Sequence, residues 1–264
     1  MSPRFPRFIR ASALTLGVVT VMATQLPAQE PDRTRRATPA AERDRMESDH
    51  SRFERIERLL SSRRPVAADV DLALAALARM QSDHYKMQTL NIVLDRASLT
   101  PAQQVSVARS ATELDNEHYA AEFLRRLAGI RPMTPEVRRA FLEAAGGIRE
   151  DHYAAEMLRT LILMQRPLPA ADVDAILRLT PELQDHYRSE ILKVLLETDL
   201  AEGSLLGIIG AARPMTDHYE AETLRKVLLH RSATARVTDT AITAADRMSS
   251  HYRDELRRMA ARAR

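Results

Sequence analysis

From about residue 46 to the C-terminus, apolar residues recur at helical spacing in short blocks, broken at regular intervals by proline, glycine or a polar turn. Residues 135–148 (PEVRRAFLEAAGGI) place Val137, Phe141, Ala144, Ala145 and Ile148 along one side of a helix. Residues 152–164 (HYAAEMLRTLILM) do the same with Tyr153, Met157, Leu158, Leu161 and Met164. Thr134-Pro135 opens the first helix, because proline at the first helical position has its φ preset and gives up no intrahelical hydrogen bond. Gly146-Gly147 weaken its end, and Arg149-Glu150-Asp151 form a polar turn into the second. Arg166-Pro167 closes the second helix, since the residue before a proline is pushed out of the helical region. Similar punctuation recurs at Thr100-Pro101, Pro132, Pro167-Leu168-Pro169, Thr180-Pro181 and Pro214. The pattern predicts pairs of antiparallel helices.

The pairs repeat. His50, His84, His118, His152 and His186 are spaced 34 residues apart, and His218 and His251 follow after 32 and 33. The words around them match: SDHYKMQTL, NEHYAAEFL, EDHYAAEML, QDHYRSEIL, TDHYEAETL and SHYRDEL. A fixed period of this size means stacked supersecondary units, each covering the apolar face of its neighbour. Ser82, Asn116, Thr216 and Ser249 are placed to cap the His-bearing helices, and Asp83, Glu117, Asp151, Asp185 and Asp217 put negative charge at the positive end of the helix dipole. Units at the two ends need polar outer faces. Ser51 stands at the Tyr position of the first copy and Arg55 where later copies have Phe, Met or Ile. Arg257 stands in the last copy where Leu90, Leu124, Leu158, Leu192 and Leu224 are found, so both ends read as capping units rather than cuts through a longer array. The expectation is an all-α, right-handed αα-solenoid of about seven units over residues 46–264.

The period would suit a tetratricopeptide array, but that motif needs a Trp, a Leu-Gly pair and a Tyr in its first helix, which the copies lack. The array resembles HEAT-like αα repeats instead. The word Ser82-Asp83-His84-Tyr85, followed by Leu90, is similar to repeats appended to some bacterial membrane metallopeptidases of the beta-lactam-sensor type, a resemblance that covers residues 46–264. Those peptidases carry H-E-x-x-H and several membrane spans, and this chain has neither, so the resemblance implies a sensing or interaction role without peptidase activity.

Composition changes the picture mainly at the N-terminus. Arg4, Arg7 and Arg10 precede an apolar stretch from Ala11 to Ala23, and Leu26-Pro27-Ala28 offers a cleavage site. The stretch is too short to cross a hydrocarbon layer of ~30 Å, so residues 1–28 read as a secretory signal peptide and the protein as periplasmic or otherwise extracytoplasmic. Membrane attachment would come only through an uncleaved signal. Residues 29–45 are polar, contain two prolines and show no apolar period, which describes a flexible leader. The chain has 39 Lys and Arg against 36 Asp and Glu, and the three arginines of the signal account for the whole excess. A nucleic-acid binder needs a cationic surface, so none is expected as a partner. With no Cys, neither disulfides nor thiolate chemistry contribute, and seven Gly with no Trp suit a helical protein stabilised by burial.

The candidate chemistry lies in the repeated word. An acid or amide follows each His by four residues: His50/Glu54, His84/Gln88, His118/Glu122, His152/Glu156, His186/Glu190, His218/Glu222 and His251/Glu255. Residues so spaced on a helix can touch. The expected role is structural, with the imidazole hydrogen-bonded to its own Glu and packed near the helix start. As metal ligands, His118, Glu122, His152, Glu156, His186 and Glu190 would offer two groups per unit, while neighbouring helices lie ~8–10 Å apart. A ladder of imidazoles could also respond to pH, since histidine changes charge near neutrality. Tyr85, Tyr119, Tyr153, Tyr187, Tyr219 and Tyr252 could be a stacking platform, but one ring per unit beside each helix start reads as packing between units. Lys193 and His230 stand outside the pattern. There is no Gly-rich phosphate loop, G-x-S-x-G, H-E-x-x-H or Cys nucleophile, so neither an enzyme nor a cofactor is expected. The expectation for function is a scaffold or adaptor for a protein partner in the cell envelope, with a metal- or pH-responsive binding module as the alternative.

Overall fold

The computed structural model describes residues 47–61, 65–130 and 133–263. The signal and leader assignments, residues 1–28 and 29–45, lie outside them. The described residues form thirteen α-helices: α1 (Asp49–Leu60), α2 (Ala67–Leu77), α3 (Asp83–Arg96), α4 (Pro101–Ser110), α5 (Glu117–Ala128), α6 (Pro135–Ala145), α7 (Asp151–Met164), α8 (Ala170–Leu179), α9 (Asp185–Leu195), α10 (Glu202–Ala212), α11 (Asp217–Leu228), α12 (Ala235–Ala245) and α13 (Ser250–Ala263). Single 3-10 turns, Ala111–Glu113 and Thr180–Glu182, follow α4 and α8. No strand occurs among the described residues.

Every odd-numbered helix carries the His word and every even-numbered helix lies between two such words. Each odd helix packs on the next odd helix, from α1 through to α13, and each even helix on the next even one, from α2 through to α12. The substantial helix contacts all join elements one or two places apart in sequence. The fold is therefore an α-solenoid built of two rows of helices. The odd row has seven members and the even row six, because the first His-bearing helix has no described even-row helix before it.

Local chemistry starts and stops these helices where the sequence says. Thr100 and Thr134 are N-caps whose hydroxyls accept the amides of Gln103 (3.3 Å) and Val137 (3.4 Å), with Pro101 and Pro135 at the first helical position. Gln103 returns the bond to the Thr100 amide, completing a capping box. Thr180-Pro181 departs from the expected start signal, since it forms the 3-10 turn that ends α8. The core is a column of leucines. Leu90, Leu124, Leu158, Leu192 and Leu224 are all buried, as are Phe123, Phe141, Met157 and Leu161 beside them. Gly207 lets α10 approach α8, because a Cβ there would lie 2.8 Å from the Leu177 side chain.

The two ends of the described stack are polar where the repeat is apolar elsewhere. Ser51 and Arg55 are exposed, and Arg55 pairs with Glu47 at 3.0 Å. Arg257 is exposed and reaches Asp246 at 2.6 Å, while Leu256 beside it is buried.

Candidate functional site

The acid that precedes each of the first six His takes the first helical position, where Ser250 stands in the last copy, and its side chain does more than complement the dipole. Its carboxylate accepts backbone amides from the corresponding turn of the next unit. Asp49 takes those of Gln81 and Ser82 (2.8 and 2.7 Å), Asp83 that of Asn116 (2.6 Å), and Glu117 those of Arg149 and Glu150 (3.1 and 2.7 Å). Asp151 takes Gln184 (3.1 Å), Asp185 takes Thr216 and Asp217 takes Ser249 (both 2.8 Å). Among the proposed caps, Asn116 accepts the amides of His118 and Tyr119, whereas Ser82 and Thr216 sit at the N-cap without accepting one. The acid and not the cap is the constant element, because it ties two units together. At Asp49 burial pushes the carboxyl upward, but the Ser82 and Gln81 amides and the Arg52 guanidinium outweigh it and hold it below the usual range.

Two residues beyond the His, the first two copies carry a cation that grips the same turn through its carbonyls. Arg52 donates to Arg79 O (3.4 Å) and Lys86 to Glu113 O (2.7 Å). Arg188 turns back to the end of its own preceding helix and donates to Thr180, Pro181 and Leu183 carbonyls at 2.6–2.9 Å. In the sixth copy the charge is reversed. Glu220, 1% exposed, is met by Arg247 at 2.5 Å, and Arg247 also donates to the Arg213 carbonyl. Burial pushes the Glu220 carboxyl up against the pull of Arg247. The sequence signal for this position was a cation two residues after His in four of the seven copies, Arg52, Lys86, Arg188 and Arg253.

The His/acid pairs do not form as expected. Only His50–Glu54 (3.3 Å) and His218–Glu222 (3.7 Å) are close contacts of that kind among the described residues. Four of the acids are met by a cation seven residues after the previous His, and Glu222 keeps its His218 contact as well. Arg125 meets Glu156 (3.5 Å), Arg159 meets Glu190 (3.8 Å), Lys193 meets Glu222 (2.8 Å) and Arg225 meets Glu255 (2.7 Å). Each of these contacts joins a carboxylate to a full cation across the boundary between units. Lys193 is thus one rung of a ladder and not a lone residue. His230 is also engaged: its Nδ1 accepts the Ser232 amide (3.1 Å), leaving Nε2–H to meet the Thr198 carbonyl (3.0 Å).

The imidazoles of His50, His84, His118, His152, His186, His218 and His251 are all exposed, and the tyrosines that follow them from Tyr85 onward are half-buried against the core. Rings of neighbouring units alternate. His50 lies 5.7 Å from Tyr85, His118 5.7 Å from Tyr153, His186 6.0 Å from Tyr219 and His218 6.4 Å from Tyr252. Each Tyr also lies against the His of its own unit, at 3.8 Å for His152–Tyr153 and 5.1–6.0 Å for His84–Tyr85, His118–Tyr119, His186–Tyr187, His218–Tyr219 and His251–Tyr252. The tyrosines pack between units, and the exposed edge of the ribbon is imidazole. The Tyr252 hydroxyl reaches His218 Nδ1 at 3.4 Å. Among the described residues no three His, Asp or Glu side chains converge as metal ligands; His118, Glu122, His152, Glu156, His186 and Glu190 remain strung along the row. No described helix is long and apolar enough to cross a membrane. No protein-family model matches the chain, and no curated protein matches it.

Proposed function

We propose that this chain is an exported, non-enzymatic scaffold of HEAT-like repeats that holds a protein partner in the cell envelope. The observation that carries the reading is how the conspicuous polar groups are spent. The acid, the cations Arg52 and Lys86 and the Glu/cation ladder bind one unit to the next. What remains outward along the odd row is one imidazole per unit, whereas an enzyme needs one pocket with groups in different roles. Long rows of aligned helices are surfaces on which other chains dock. The export signal at residues 1–28 and the balanced charge of the remainder support an extracytoplasmic protein partner over a nucleic acid. The test is native capture from the envelope fraction with the tagged chain as bait. A partner at stoichiometric yield is expected; an empty bait under conditions that preserve other envelope complexes sinks the reading.

A second reading, a metal- or pH-responsive module, draws on one observation: seven imidazoles are exposed while Glu156, Glu190, Glu222 and Glu255 are engaged elsewhere. Added protons would then go uncompensated along one row. Identical melting temperatures in mildly acidic and neutral buffer, together with no shift on adding zinc, would dispose of it.

A further inference from the structure

Glu220 on α11 is the most deeply buried charged side chain among the described residues, 1% exposed against 7–8% for Arg52, Lys86, Asp172 and Arg188. At the same place in the repeat, two residues beyond His, Arg52 and Lys86 reach forward to carbonyls of the next unit's turn. The sixth copy inverts that link. The acid stays on α11 and the cation comes back from the turn between α12 and α13. There Arg247 meets Glu220 Oε2 at 2.5 Å and also donates to the Arg213 carbonyl at the end of α10. Glu220 Oε1 has no hydrogen-bond partner among the described residues.

The charges that act on Glu220 are of both signs. Arg247 and Arg213 favour the carboxylate, and Asp217, one turn earlier on α11, opposes it. On the neighbouring odd helices the matching residues are engaged elsewhere. Arg188 of α9 holds the Thr180, Pro181 and Leu183 carbonyls, and Arg253 of α13 lies 3.6 Å from Asp254. Burial outweighs the cations and pushes the carboxyl above its ordinary range. The cost falls on the unpaired oxygen: one guanidinium answers one oxygen, and the other gives up its water with nothing in exchange. A proton relieves that cost by removing the charge, and water relieves it by reaching the carboxylate.

The helices beyond this link can part from the stack without disturbing the rest. α12 packs on α10, α11 and α13, and α13 on α11 and α12, with no substantial helix contact farther along. The other ties across the boundary, Asp217 to the Ser249 amide and Arg225 to Glu255, are partly exposed and bury no unpaired charge. We infer that α12 and α13 form a proton-controlled terminal unit, closed on α10 and α11 while Glu220 is neutral and opening from them when Glu220 is ionised. The sign follows from linkage. Opening returns the carboxyl to its ordinary value, so rising pH favours the open form from that value up to the folded one. Glu222 and Glu255, held low by Lys193 and Arg225, act in the opposite sense and at more acid pH. The device does not depend on what the stack binds.

Hydrogen exchange of the full chain, read by mass spectrometry from mildly acidic to mildly alkaline buffer, follows the opening. Protection in α12 and α13 is taken relative to α5 and α7, after correction for the intrinsic pH dependence of exchange. In the wild type that ratio should fall about fivefold or more as pH rises. In Glu220→Gln, neutral throughout, it should change by less than about twofold. The exposed imidazoles of His218 and His251 are present in both proteins, so the comparison cancels them. Arg247→Gln leaves the carboxyl without its cation and should deepen the fall. Arg247 is partly exposed, so this second variant keeps the test intact where Glu220→Gln does not fold. A flat ratio in the wild type, the same fall in Glu220→Gln, or a shallower fall in Arg247→Gln overturns the inference.

Discussion

At the scale of the residue, the carboxylate at the first position of the odd-row helices α1 to α11 stabilises the stack most directly. Asp185 accepts the Thr216 amide of the next unit, a charge-assisted bond at 2.8 Å. Asp185→Ala should cost about 1–3 kcal/mol in urea unfolding, and Asp185→Asn about half of that, since the amide oxygen still accepts. His186→Ala, one residue on, removes an exposed ring and should cost less than ~0.5 kcal/mol. Equal losses for the two would mean the imidazole ribbon holds the units together. The titrations divide by sign. Asp49 is held below its ordinary value by amides and a guanidinium, Glu222 by Lys193 and Glu255 by Arg225. Their contributions are present above the ordinary carboxylate range and are lost as pH falls through the lowered folded values. Glu220 runs the other way, because burial raises it: its contribution is present below the ordinary value and is lost as pH rises through the folded one. Melting temperature against pH should therefore show Glu220→Gln gaining on the wild type as pH rises from acid toward neutral. A constant or narrowing gap would contradict it.

At the scale of the element, none of these helices is self-sufficient. They run to 10–14 residues, a length at which isolated helices are marginal in water. Their stability comes from the face each lays on its neighbours. Leu158 of α7 is 2% exposed in the middle of the leucine column, and Leu158→Ala should cost about 2–5 kcal/mol, depending on how far α5 and α9 can close the cavity. Thr134→Ala removes the cap of α6 and should cost about 1 kcal/mol. The salt-bridge ladder is less important for stability than it looks. Arg125 and Glu156 are both exposed, and such a pair is worth about 0–1 kcal/mol, so its effect is on the register of adjacent odd helices.

At the scale of the whole molecule, contacts reach only one or two helices along the chain, so stability should be a sum over units and their interfaces. Amide exchange after Leu158→Ala checks this. Protection should fall in α5 to α9 and persist in α1 and α13; a uniform fall along the stack would mean a single cooperative core.

The amino-acid sequence by itself determined the all-α class, the tandem unit, the helix starts at Thr100-Pro101 and Thr134-Pro135 and the leucine column, because each depends on spacing within one helix or on identity at one period. The polar ends at Arg55 and Arg257 were legible for the same reason. Which partner each charged side chain takes was not. Glu156 and Glu190 have a His four residues away in sequence, yet Arg125 and Arg159 come from the preceding unit and take them, and no intrahelical spacing reveals that. Asp185 reads as a dipole complement until α9 and α11 lie side by side and the Thr216 amide arrives. Tertiary structure decided these pairings, the exposure of the imidazoles and the burial of Glu220. Each depends on the distance between units about 34 residues apart, a distance that stacking sets and sequence periodicity only announces.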